Sequence, residues 1–479
     1  MKTQTNTGYI VFLSVVAAIG GILFGYDTAV ISGTIAGVAT QFGLDAMQQG
    51  WFVGCALVGS IAGVAVAGVM SDRFGRKRTM LVSAVLFTVS AVGCALCADF
   101  QQLILYRIIG GVGIGVVSIV SPMYISEVAV ARWRGSLVSL YQLAITVGFL
   151  AAYLVNFGIL RSAETAHYAS ETMQRIWITE RWRGMFGAET LPAALFFLVL
   201  FFIPESPRWL LLRGSDERAR TVLSRIYPAR HDAEQEIAAV RATFRKSDEP
   251  QWRALLEPGI RRAVAIGAFI AILGQFMGVN AVLYYGPTIF ENAGLSSGDS
   301  LFSQVLVGTV NMLTTVLALA IIDRVGRKQL VYWGVSGMIL SLIGIGVYFL
   351  FGTAWGLPNA FLLVFFLFYV FCCAVSICAV VFVLLLGDVS HAGARHSHVD
   401  RRAFALGGHL PDRTAHPVDA RKPDAGRHVL PLRGDVHPLH RHHVARRARN
   451  DGPVARRDRK ILDELITKHT DKHEFPTTG

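Results

Sequence analysis

Runs of about 20 apolar residues recur along this chain, and no other feature restricts its fold as much. Ten can be traced, at roughly 8–31, 50–70, 79–98, 102–125, 137–157, 186–203, 262–284, 301–322, 329–351 and 358–386. Wound as a helix rising ~1.5 Å per residue, such a run crosses the ~30 Å hydrocarbon layer of a bilayer. A bilayer core offers no partners to backbone N–H and C=O groups, so the runs are predicted to be helices. Strands of a membrane barrel would alternate polar and apolar residues, and these runs do not. Of the 479 residues 53% are hydrophobic and 16% charged, too little polar surface for a soluble protein of this length. Met1 to Asn6 carries one Lys, and no small-residue cleavage site follows the first run. The first helix is therefore expected to stay in place rather than be removed as a signal peptide.

The short links at 71–78 and 323–328 are strongly basic, which places them in the cytoplasm together with the N-terminus. The longer link 204–261 is rich in Arg and Glu with helical patterning, for example over 233–246, and reads as a small cytoplasmic helical domain. The link 158–185 then faces the opposite side. One repeat stands out. Asp72-Arg73-Phe74-Gly75-Arg76-Lys77 recurs as Asp323-Arg324-Val325-Gly326-Arg327-Lys328, each copy after an even-numbered run. That is the mark of two halves of six helices each. Glycine permits the tight turn, the Asp accepts charge-assisted hydrogen bonds at a helix end, and the Arg residues can tie neighbouring helices together.

Polar groups inside apolar runs are expensive and so informative. Asp27 sits within the first run and Arg107 within the fourth. If the two face each other, the guanidinium holds the carboxylate ionised, and separating them raises its proton affinity. This is a proton-coupling device; the plainer alternative is a structural buried ion pair. Gln142, Gln275, Asn280 and Asn311 are read as amides in otherwise apolar spans, suited either to hydrogen-bonding a polar substrate or to bonding between helices. The C-x-x-C of Cys94 and Cys97 lies in the third run, and Cys372, Cys373 and Cys378 lie in the tenth. Apolar surroundings make these buried helix cysteines, so no metal or cofactor is expected.

Specific motifs carry a resemblance. They are Gly25-Tyr26-Asp27-Thr28, Arg107 with Gly110, Gly111, Gly113 and Gly115, and Pro122-Met123-Tyr124-Ile125-Ser126-Glu127 leading to Arg134-Gly135. Pro204-Glu205-Ser206-Pro207-Arg208-Trp209-Leu210 and Gln275-Phe276-Met277-Gly278-Val279-Asn280 complete the set. From about residue 8 to 385 the chain resembles the sugar porter family of the major facilitator superfamily, nearest its bacterial sugar/proton symporters. The resemblance implies an all-α membrane protein with a monosaccharide site between two pseudo-symmetric six-helix bundles. Transport would be proton-coupled symport by alternating access, with no bond-making chemistry. It implies that Asp27 and Arg107 couple protons and that the four amides contact sugar, with Phe24 and Tyr284 as walls. Cytoplasmic ion pairs among Asp72, Arg73, Arg76, Glu127, Arg134, Glu205, Arg208, Asp323, Arg324 and Arg327 would lock one state. Individually weak surface pairs need such a network for that role. Departures are Gly274 where the family commonly has a second Gln, Phe149 where its xylose-carrying members have Gln, Phe382 for a usual Trp, and Cys378-Ala379 for Gly-Pro. The expected partners are a monosaccharide (pentose or hexose), protons and the lipid of a bacterial inner membrane, with no nucleic acid. A monomer is expected.

Residues 387–459 break the pattern. They hold 10 of the 14 histidines, 14 Arg, one Lys and 8 Asp, so 14 + 1 − 8 = +7 of the total +12. No run there could span a bilayer. A basic tail or a His-rich metal tract are the literal readings, but the irregular His spacing without Cys argues against metal. The composition is also that of GC-rich DNA read out of frame. A synonymous coding of Leu386 to Asp400, read one base later, spells Ser-Glu-Met-Tyr-Pro-Thr-Arg-Val-Arg-Gly. That parallels Ser126-Glu127 to Arg134-Gly135, and two hydrophobic spans follow in the same shifted frame. The original frame resumes near Lys460, where Ile461 to Leu465 resembles the family's acidic C-terminal helix.

The organisation expected is therefore 1–203 as a six-helix bundle, 204–261 as the linker domain and 262–386 as a second bundle cut to four helices. Residues 387–459 are the out-of-frame segment, in the gene or in its reading, and 460–479 the tail. Open alternatives are a uniporter, a membrane sugar sensor that does not transport, and the non-functional product of a broken transporter gene.

Overall fold

A computed structural model describes residues 5–163, 165, 170–245, 265, 268, 269 and 272–378. The expectations for 387–459 and 460–479, and part of the span expected at 262–284, lie outside the described residues. Within the described residues the chain is helical, and nine helical segments are long and apolar enough to cross a membrane.

Helix α1 (Thr7–Phe42) is longer than the run expected at 8–31. Its ends are set by caps rather than by hydropathy. Asn6 accepts a hydrogen bond from the Tyr9 N–H at 3.2 Å, and the helix stops only at Gly43, whose φ of 61° is left-handed. Ser32, Thr34 and Thr40 are accommodated in its second half because their hydroxyls bond carbonyls of the same helix. Helix α2 (Ala46–Phe74) starts in a reciprocal capping box between Asp45 and Gln48. It ends at Gly75, φ 96°, and α3 (Arg76–Leu96) begins at the next residue. Helix α4 (Phe100–Val128) and α5 (Arg134–Ser162) follow.

Between helices in lipid there is little hydrophobic drive, so close backbone approach must supply the packing. Helices α2 and α4 achieve it with paired glycines. A β-carbon on Gly59 would strike the Ile108 carbonyl, and one on Gly111 the Ala56 carbonyl. The outer faces carry apolar side chains to lipid, such as Ile61 (72% exposed) and Phe202 (75% exposed).

Past α5 come the short α6 (Glu171–Gln174), a π-helical turn (Arg175–Thr179) and α7 (Arg181–Gly187). Helix α8 (Thr190–Val199) ends in a 3-10 turn, Leu200–Phe202. The sixth span is thus interrupted at Ala188–Glu189. The described part of the link that follows holds α9 (Pro207–Leu212), α10 (Asp216–Ile226) and α11 (Arg230–Arg245), the last two joined by an Arg241–Asp216 pair at 2.5 Å.

Helix α12 (Val279–Asn292), α13 (Ser297–Val325), α14 (Arg327–Trp355) and α15 (Asn359–Cys373), with a closing π turn (Ala374–Cys378), make up the rest. Helix α12 departs from the run expected at 262–284. Gly278, φ 85°, breaks the backbone inside that run, and the helix restarts at Val279 and continues past 284 to Asn292. Between α13 and α14, Gly326 adopts φ 91°, close to that of Gly75. The repeated motif therefore builds the same turn twice. Helix α13 packs on α5, and α12 on α1.

Candidate functional site

The site is built from buried charges on α1, on α4 and at the break between α7 and α8. Asp27 on α1 is 1% exposed and Arg107 on α4 is 2% exposed. One guanidinium nitrogen of Arg107 donates to Asp27 Oδ1 at 2.7 Å, and the guanidinium also lies over the Phe186 ring, 5.2 Å from its centre. Burial at this depth demands pairing, which is what the geometry supplies. The pair leaves Asp27 Oδ2 and Arg107 Nε without partners among the protein groups.

A third charge stands beside them. Glu189, at the interruption between α7 and α8, is 1% exposed, and its carboxyl lies close enough to that of Asp27 for each to feel the other's charge. Neither Glu189 oxygen has a donor of its own. Two carboxyl groups can bond only if a proton lies between them. The sequence reading passed over Glu189, although a lone ionisable residue inside the 186–203 run was the available signal.

The amides divide into groups. Gln275 and Asn280 flank the break at Gly278, and the Asn280 amide donates to Gln275 Oε1 at 2.8 Å. The break is held from α15, whose Tyr369 hydroxyl donates to the Met277 carbonyl at 2.7 Å. Gln142 on α5 has its amide oxygen buried and unpartnered, a free acceptor. Asn311 on α13 and Tyr284 on α12 are buried, and Phe24 is half-buried on α1. Tyr284 feels the charges of both Arg107 and Asp27, so it stands near the ion pair. Two span amides were missed: Asn156, which donates to the Val30 carbonyl at 3.2 Å, and Gln304. Gln304, 0% exposed, donates to the Leu283 carbonyl at 2.9 Å, which also accepts from the Tyr153 hydroxyl at 3.2 Å. Phe149, a departure noted above, is buried with its ring 6.2 Å from that of Tyr153.

At the α2–α3 end the charged cluster is partly assembled. Arg76, 4% exposed, donates from Nε to Glu127 at 2.9 Å and from Nη1 to Asp72 at 3.3 Å, and Ser206 donates to Glu127 at 2.6 Å. Glu205 does not meet an Arg side chain. Its carboxylate instead caps α3, accepting from the backbone N–H groups of Arg76 and Lys77 and from Ser206. Burial pushes the Glu205 carboxyl up, and those backbone donors only partly offset it. Arg73 stands exposed over the Phe74 ring, and Arg134 leaves its Nε unpartnered, so neither joins the cluster. Arg208 and Arg324 are exposed. The side chains of Asp323 and Arg327 lie outside what is described.

A family model described as sugar (and other) transporter matches residues 13–399. The D-xylose-proton symporter of Escherichia coli K12 is 38% identical over 376 residues, covering 73% of this chain and 74% of that one. The arabinose-proton symporter of Bacillus subtilis is 38% identical over 352 residues, covering 74% of each. A partially occluded, inward-open structure of the E. coli xylose transporter XylE superposes with a TM-score of 0.69 at 35% identity, over 81% of this chain and 89% of that one.

Proposed function

Because this chain belongs to the sugar transporter family and has the major facilitator fold, we propose that it moves a monosaccharide across the inner membrane by proton-coupled symport. The observation that carries this reading is the buried triad of Asp27, Arg107 and Glu189, with Tyr284 close by. Relatives that carry xylose and arabinose with protons support a pentose or hexose as the sugar.

The coupling follows from electrostatics. The Arg107 guanidinium neutralises one of two buried carboxyls, so the second is tolerable only as an acid. One proton held between Asp27 Oδ2 and a Glu189 oxygen would meet that condition. A tilt of α1 against α4 that lengthens the 2.7 Å bond would bring a second proton onto the pair or release Arg107 to other acceptors. Sugar hydroxyls would meet Gln142, Gln275, Asn280 and Asn311, with Phe24 and Tyr284 against the apolar ring face. Asp72, Arg76 and Glu127 lock the cytoplasmic end of α2, α3 and α4. Arg73, Arg134, Glu205, Arg208, Asp323, Arg324 and Arg327 set the charge around that lock. The N-terminus is cytoplasmic, and 1–203 and 262–386 move as bundles about the linker 204–261.

The test is uptake of labelled xylose, arabinose and glucose into vesicles under an imposed proton gradient. It compares the 479-residue chain with one whose 387–459 segment is recoded in the shifted frame. Accumulation by the recoded chain alone supports symport and the frame reading. Equilibration without accumulation supports a uniporter, and sugar binding without uptake a sensor. Accumulation by the literal chain refutes the frame reading.

A further inference from the structure

We propose that a cleft at the cytoplasmic end of α3 binds the headgroup of an anionic phospholipid. The cleft, about 990 Å³, is walled by α2 and α3 on one side and by Phe201 to Arg225 on the other. Six cations line it, Arg73, Lys77, Arg78, Arg213, Arg218 and Arg225, against one carboxylate, Glu205. That carboxylate is turned inward and occupied by the backbone N–H groups of Arg76, Lys77 and Ser206. The face open to a ligand is therefore positive.

The cations differ in what they already do. Lys77 Nζ donates to the Phe201 carbonyl, and Arg213 donates to the carbonyls of Asp72 and Arg73. These two are anchored, which preorganises the cleft. Arg73 lies over the Phe74 ring. Arg78, Arg218 and Arg225 hold no ion pair or hydrogen bond among the described residues, so their forked donors are free for a phosphodiester.

The walls choose the source of that phosphate. Phe74, Leu81 and Phe201 line the same cleft, and further apolar side chains are exposed along α3, α8 and the turn that closes α8. These are Val82, Val85, Leu198 and Phe202, from 44% to 75% exposed. A soluble phosphate would use the cations and leave this strip unused. A lipid uses both, with the headgroup among the arginines and an acyl chain along the seam where α3 meets α8. The cleft also sits where the basic 71–78 link meets the membrane surface, the depth at which headgroups lie.

The experiment is native mass spectrometry of the full-length protein in neutral detergent, titrated with dioleoyl phosphatidylglycerol or with dioleoyl phosphatidylcholine. Residues 387–459 carry a net +7, so the quantity read is the difference between two double variants. R78Q/R218Q removes two free cleft arginines; R132Q/K328Q removes two exposed cations elsewhere. At roughly 1 kcal/mol per surface cation, the cleft variant should lose about 30-fold in phosphatidylglycerol affinity and the remote variant far less. Arg225→Gln alone, about fivefold weaker, serves if the double variant folds poorly. Millimolar inorganic phosphate should not displace the lipid. Equal retention of the two lipids, equal losses in the two double variants, or displacement by inorganic phosphate would each overturn the proposal.

Discussion

The Arg107 guanidinium donates to the Asp27 carboxylate at 2.7 Å with both side chains at most 2% exposed, so neither charge has water to fall back on. Breaking such a pair from one side costs far more than the pair contributes, because a lone charge is left buried. Arg107→Ala strands two carboxyls and should destabilise the protein by about 3–5 kcal/mol. Asp27→Asn keeps a hydrogen-bonding partner for Arg107 and should cost less. Thermal unfolding of the two variants in detergent gives the comparison, and equal losses would show that the pair is not coupled as described.

Asp27→Asn also separates coupling from carriage. In the recoded chain, sugar accumulation driven by a proton gradient should disappear while exchange of labelled for unlabelled sugar persists. Loss of both would make Asp27 part of the sugar site or of the fold alone.

Gly111 packs where a β-carbon would meet the Ala56 carbonyl across the α2–α4 contact. Backbone cannot give way as a flexible side chain can. Gly111→Leu should therefore force α2 and α4 apart and cost about 1–3 kcal/mol or more. Gly50, with nothing within 4 Å of its β-position, is the control. Similar folded yields for the two leucine variants would contradict the close crossing.

The Glu180 cluster supplies a pH test outside the spans. Burial pushes its carboxyl up, but hydrogen bonds from Arg175, Arg183 and Gln41 prevail and hold it down at about 2. A carboxyl held below its ordinary value of 4.5 stabilises the fold above that ordinary value. The contribution is lost as pH falls from there through about 2. The unfolding temperature should fall over that window, and Glu180→Gln should flatten the fall. An unchanged slope in the variant would remove Glu180 from the account.

Replacing Gln275 or Asn280 with Ala should raise the half-saturating sugar concentration about 5–10-fold, as expected when a hydrogen bond of about 1–1.5 kcal/mol is lost. Phe24→Ala should act through lost ring contact. Unchanged saturation in all three would move the sugar away from the break at Gly278.

Much of this was legible along the chain. Apolar runs marked the spans, because hydrocarbon leaves the backbone no choice but helix. The recurrence of Asp72 to Lys77 at Asp323 to Lys328 announced a turn that the structure builds twice, at Gly75 and Gly326. Asp27 and Arg107 were visible as charges where charges are costly. Glu189 was legible by the same rule but stood near the edge of a run, where a charge is cheap if the helix ends there. Only the structure places it at an interruption inside the protein, against Asp27. Gln304 and Asn156 were hidden for another reason. Their donors go to the carbonyls of Leu283 and Val30 on other helices, and nothing local in sequence marks such partners.

The sequence by itself determined that this is a chain of membrane-crossing helices in two related halves, since composition, run length and repeated turns are properties of neighbouring residues. The tertiary structure decided which polar groups meet. Asp27, Arg107 and Glu189 are separated by 80 residues or more along the chain, and Arg76 and Glu127 by 51. Their contacts depend on how closely the helices cross, which is set by glycines facing carbonyls on another helix. In a medium that solvates no charge, that crossing distance decides whether a buried ion is paired or stranded.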